Sequence, residues 1–113
     1  MGRRQTRSPE RIAALTQPSV SLHPEALEEA VAATEWYAKR SRRAAESFLD
    51  EIDRVIARLS ENAGQFPSFD FGTRRAMLRR FPWSLVFRET SSGLEIIAVV
   101  HSRRRPGYWR NRV

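Results

Sequence analysis

Cysteine is absent from the 113 residues, which excludes a disulfide scaffold, a cysteine-ligated zinc site and a thiol nucleophile. Histidine occurs only as His23 and His101, with no spacing that suits a metal, so neither a metal nor another cofactor is expected. Lysine occurs once, as Lys39, although Lys and Arg together number 20. No apolar run approaches the ~20 residues that cross a bilayer, and no apolar segment follows the basic first residues as a secretory signal requires. These absences predict a soluble, cytoplasmic protein with no membrane partner. What remains is globular in composition, 41% hydrophobic and 29% charged, and short enough for one main domain.

The net charge of +7 is unevenly placed. Residues 24–62 hold nine acids against six cations, whereas residues 63–113 hold ten arginines against three acids. A field concentrated in one half attracts polyanions or an acidic protein. Codon bias accounts for arginine replacing lysine, but not for the clustering.

Residues 1–17, with Arg3, Arg4, Arg7 and Pro9, read as a basic, flexible extension to a domain over 18–113. Ser19–Leu22 alternates as a short edge strand does. Pro24 suits a first helical position, followed by Glu25, Glu28 and Glu29, and the spacing predicts a helix over about 24–40. Ser41 can cap a second helix, whose stripe runs Ala45, Phe48, Leu49, Ile52, Val55, Ile56 and Leu59. Asp50, Glu51, Asp53, Arg54 and Arg58 are assigned to its other faces, and Gly64 to a left-handed cap. An aromatic loop follows, Phe66 to Gly72. Strands are then predicted at 73–80, 83–89 and 94–100, the last two joined by the turn Thr90-Ser91-Ser92-Gly93. The expected fold is α+β: an N-terminal strand and a two-helix hairpin on one face of a small, mainly antiparallel sheet, in the order β-α-α-β-β-β. Leu94–Val100 is apolar on both faces. Two helices cover only one, so the other needs the C-terminal segment or a partner.

Several segments carry a family resemblance: His23-Pro24-Glu25-Ala26, Trp36-Tyr37, Phe48-Leu49-Asp50-Glu51-Ile52, Thr73 to Pro82, Ile97-Ala98-Val99-Val100-His101, and Arg103-Arg104-Arg105-Pro106-Gly107-Tyr108-Trp109. In this order, over residues 19–110, the chain resembles the RelE/ParE superfamily of bacterial type II toxins. The resemblance implies a growth-inhibiting toxin held in a hetero-oligomer by a cognate acidic antitoxin. The expected antitoxin contacts are Ile97 and Val99 on the uncovered face, with Arg88 supplying charge.

RelE-like members cleave mRNA on the ribosome; ParE-like members poison DNA gyrase and have no known hydrolytic site. A nuclease needs a base, an acid and cations around the phosphorane. His101 is the best base here and Tyr108 a possible assistant, the only two catalytic candidates. Each also has a bland reading, His101 as a strand-end structural group and Tyr108 with Trp109 as packing over the sheet. Arg75, Arg79, Arg80, Arg103, Arg104, Arg105 and Trp109 are the candidate contacts to target or phosphate. The sheet has no lysine, and arginine cannot act as a general base at neutral pH. The ParE-like reading is therefore favoured, with an mRNA endoribonuclease and a non-toxic antitoxin-binding relic as alternatives.

Overall fold

The structure, a computed structural model, describes residues 11–12 and 19–113. The expected extension at 1–17 lies outside the described residues except for Arg11 and Ile12. Ile12 is fully buried in the main core, and Arg11 reaches Asp50 at 2.6 Å.

The chain forms β1 (Val20–Leu22), α1 (Pro24–Ala38), α2 (Arg42–Glu61), β2 (Ser68–Phe69), β3 (Thr73–Met77), β4 (Trp83–Thr90) and β5 (Gly93–His101). The sheet order is β1-β5-β4-β3-β2, with only β1–β5 parallel. This is the predicted α+β plan, with β2 added inside the aromatic loop. Pro24 opens α1 and Ser41 caps α2 as expected, whereas His23 is a cap that the sequence reading did not name. His23 Nδ1 accepts from the Glu25 amide ahead of Pro24, and Ser41 Oγ accepts from the Ala44 amide at 3.2 Å.

The α2 stripe is buried as its period dictates, from Ala45 to Leu59. It packs with Ala26, Ala30 and Ala33 of α1 over Leu85, Phe87, Ile96 and Val99 of the sheet. Burial of each large aliphatic side chain contributes about 1.5–3 kcal/mol. Alanine on α1 lets the helix approach the sheet closely.

Four local expectations are corrected. Gly64 is no left-handed cap; it lies in a short 3-10 turn over Ala63–Gln65 and is absent from the positive-φ glycines, Gly72, Gly93 and Gly107. The strand expected at 73–80 stops at Met77, because the Arg79 and Arg80 amides turn away to a carboxylate of α2. That carboxylate is Glu51, expected on a polar face yet only 4% exposed.

The fourth correction is a β-bulge. Val86 pairs with Ala98 and Phe87 with Ile96, so Ile97 is an extra residue in β5. Simple alternation would place Ile97 and Val99 on one face. The bulge instead leaves Ile97 and Ala98 on the face away from the helices and returns Val99 to the helical core.

The second sheet face is not open. Trp109, 1% exposed, packs there with Val86, Ile97 and Ala98, and Phe69, Val100 and Tyr108 close around them. The C-terminal segment thus supplies the cover that the two helices cannot.

Candidate functional site

Three connections meet at one end of the fold: α1–α2, β3–β4 and the segment after β5. Trp83 Nε1 donates to Tyr37 Oη at 3.0 Å, Phe81 sits edge-on to Tyr37, and the Ser102 amide donates to the Pro82 carbonyl at 2.8 Å. These connections, with the first turn of α2, carry Lys39, Arg40, Arg42, Arg43, Arg79, Arg80, Arg103, Arg104 and Arg105, and no acid between them. Nine of the 20 Lys and Arg residues therefore gather at one pole. Such a concentration raises the local potential for any anionic partner.

A groove of about 640 Å³ opens at this pole between α1 and the end of β5. Ala33, Trp36, Tyr37 and Trp83 give it an apolar floor, while His101, Arg103 and Arg104 add polar walls. Trp36 is 51% exposed and carries the Arg40 guanidinium over its ring at 3.6 Å. That contact is a cation–π pair on the surface. Tyr37 meets the Trp36 ring edge-on at 5.0 Å and extends into the aromatic cluster with Phe48 and Phe81.

The predicted site residues do not converge on one point. His101 stands edge-on to Trp83, and its Nδ1 accepts from the Arg103 amide at 3.1 Å. No carboxylate hydrogen-bonds to it among the described residues. Tyr108 is committed elsewhere. Its hydroxyl donates to Glu29 Oε2 at 2.7 Å, and Glu29 also accepts from the Val99 amide and from both terminal nitrogens of Arg112. Burial, then the Glu29 hydrogen bond and charge, push the Tyr108 hydroxyl well above its ordinary pKa of 10.0; Arg104 and Arg112 offset only part of this. For Arg112, burial acts to lower the pKa, but the bonds and charge of Glu29, aided by Glu25, outweigh it and raise the value.

This network has a structural cause. β1 pairs with β5 only over Leu94–Ile96, leaving the β5 edge bare beyond that point. Glu29 takes up the Val99 amide and Arg112 donates to the Ile97 carbonyl at 2.9 Å, so two side chains do the work of a missing strand.

Of the arginines, Arg75 lies over Phe69 at 4.4 Å and Arg104 over Tyr108 at 3.9 Å. Arg80 leans toward Glu51 at 3.7 Å, and Arg79 lines the same depression beside α2. Arg103 and Arg105 are exposed. Arg88 is paired with Glu95 through Nε and Nη2. Ile97, Val99 and Trp109 are buried, so these three of the side chains expected to meet the antitoxin or target are inside the fold. The reason is that Trp109 seals Ile97 and the bulge turns Val99 inward.

Sequence reasoning missed Glu29 and Glu51 as organising groups. Both sit three residues into an apolar stripe, Ala26-Glu29-Ala30-Ala33 and Phe48-Glu51-Ile52-Val55. That spacing was the available signal.

A two-helix hairpin laid on a five-stranded, largely antiparallel sheet is the architecture that the RelE/ParE resemblance implies. A family model described as the ParE toxin of the type II toxin-antitoxin system, parDE, matches residues 20–106, and the chain belongs to that family. Among solved structures, "Chromosomal ParDE TA system from P. aeruginosa" shares the fold with a TM-score of 0.65 and 23% identity, covering 74% of this chain and 94% of that one. Comparison with curated proteins returns no match. None of the described helices is long and apolar enough to cross a membrane.

Proposed function

We propose that this ParE-family chain is a toxin that arrests growth by gripping and poisoning DNA gyrase, and that a cognate antitoxin neutralises it. The observation that carries this reading is the commitment of Tyr108. Its hydroxyl is held in a partly buried, charge-assisted network with Glu29 and Arg112. A phenol with a raised pKa, bonded to a carboxylate, is a poor proton donor to a leaving oxygen. His101 then has no partner acid with which to cleave RNA. What remains at the basic pole is suited to binding rather than hydrolysis: concentrated arginines that hold their charge at any physiological pH.

The groove beside α1 suits an antitoxin segment that brings apolar anchors and acidic side chains, the anchors over Ala33, Trp36 and Trp83, the acids toward Arg103 and Arg104. This replaces Ile97 and Val99 as the seat of antitoxin contact.

Supercoiling by purified gyrase and translation in a cell-free extract, each with added toxin, test the target. Inhibited supercoiling with translation intact supports the reading. Cut mRNA with supercoiling untouched would transfer the assignment to the ribosome-dependent nuclease.

A further inference from the structure

On the sheet face away from the helices, beside Trp109, lies a small cavity of about 130 Å³. Arg75 of β3 and Arg104 from the segment after β5 both line it, together with Ser84 and Ser102. Its walls contain no carboxylate. Among the described residues neither arginine forms an ion pair, and the buried Arg75 Nε has no hydrogen-bond partner. A buried donor left unpaired is costly and calls for an acceptor.

Each guanidinium lies over an aromatic ring, Arg75 on Phe69 and Arg104 on Tyr108. Stacking fixes the plane of the group and leaves its N–H donors directed around its edge. Two such edges and two hydroxyls facing a cavity with no acceptor of charge make a receptor for one compact anion.

We infer that Arg75 and Arg104 bind a backbone phosphodiester of DNA, Ser84 and Ser102 assisting, so that the toxin grips the nucleic acid of its target complex as well as protein. The two non-bridging oxygens of a phosphodiester match two separate guanidinium edges. Ser102 and Arg104 belong to the basic pole, where nine cations spread over three connections and the first turn of α2. A spread of positive charge suits a chain of regularly spaced phosphates better than a single carboxylate. Met77, 66% exposed, offers apolar surface for the adjoining sugar. The biological role rests on the gyrase reading, but the phosphodiester site does not.

The test uses the full chain and a short labelled DNA duplex, followed by fluorescence anisotropy over a range of salt concentrations. Wild type should bind, and Arg75→Ala should bind roughly tenfold more weakly. The slope of log affinity against log salt should fall by about 0.9 for the lost phosphate contact. Ser84→Asp, which places a carboxylate in the cavity without truncating a packed side chain, should weaken binding similarly. Arg54→Ala on α2 should change little. An Arg75→Ala and a Ser84→Asp protein that both bind duplex as wild type does would overturn the proposal. So would displacement of the duplex by a polyglutamate peptide at equal charge concentration, which would assign the site to an acidic protein. A supercoiling assay on the same samples separates the two claims. Gyrase inhibition without duplex binding sinks the phosphate site alone, and duplex binding without gyrase inhibition sinks the gyrase reading alone.

Discussion

Tyr108 and Glu29 lie 79 residues apart in sequence and 2.7 Å apart at their oxygens. That bond ties the C-terminal segment to the first helix. Through Arg112, the same carboxylate closes the bare edge of β5. The segment that carries the basic cluster Arg103–Arg105 is therefore held at both ends, by β5 before it and by Glu29 after it.

Removing the shared acceptor should be expensive. Glu29→Ala leaves the Tyr108 hydroxyl and the Val99 amide without their partner and leaves Arg112 only Glu25 and the Ile97 carbonyl. We expect a loss of about 3 kcal/mol, as for other pairs broken from one side. Tyr108→Phe removes one bond and should cost about 1 kcal/mol. Urea unfolding of the three proteins checks the order, and a Glu29→Ala protein as stable as wild type would remove the network from the account.

The raised Tyr108 pKa makes a pH prediction. In the unfolded chain this hydroxyl loses its proton near 10.0, while in the fold it keeps it to higher pH. Above that unfolded-state value the native state binds more protons than the unfolded one, so stability falls as pH rises. The stabilisation linked to Tyr108 is fully present below pH 10 and is lost progressively as pH climbs through the folded-state value. Denaturation midpoints measured on either side of pH 10 should diverge in wild type, and the divergence should shrink in Tyr108→Phe.

Glu51 does for the β3–β4 connection what Glu29 does for β5. Its carboxylate accepts from the Arg79 and Arg80 amides. Glu51→Ala should cost about 2 kcal/mol by stranding these partly buried donors. Hydrogen exchange should accelerate at Arg79 and Arg80 first, with β5 amides still protected. Uniform acceleration would mean that the substitution loosens the whole domain instead.

Gly93 tests how β1 docks. Its φ is +138°, and a Cβ there would stand 2.5 Å from the Ser19 carbonyl oxygen, which is backbone and already accepts from the Leu94 amide at 2.7 Å. Gly93→Ala should cost more than about 1 kcal/mol and release β1 from β5. Loss of the Leu94 amide's slow exchange reports that release.

Much of this architecture was legible because its signals are local. The α2 stripe, the Pro24 start, the Ser41 cap and the Thr90–Gly93 turn each lie within a few residues of what they specify. The failures were long-range. The bulge at Ile97 depends on pairing with Val86 and Phe87, and alternation cannot reveal an inserted residue. In sequence Trp109 reads equally as target contact or as packing, and only the fold places it over Ile97. Glu51 stood within an apolar stripe, but its acceptor role belongs to a turn 28 residues away. The candidate site suffered most. Arginine clustering is visible in composition, whereas which guanidinium meets an aromatic ring, a carboxylate or an empty cavity is a property of the packed chain.

In the proposed mode of action, cationic surface grips a target and His101 and Tyr108 carry out no hydrolysis. Growth after induction of three variants tests it most directly: His101→Ala, Tyr108→Phe, and Arg103, Arg104 and Arg105 all changed to Ala. Arrest by the first two and normal growth with the third are expected, each at matched protein level. Continued growth with His101→Ala or Tyr108→Phe, alongside full arrest by the triple arginine variant, would contradict it.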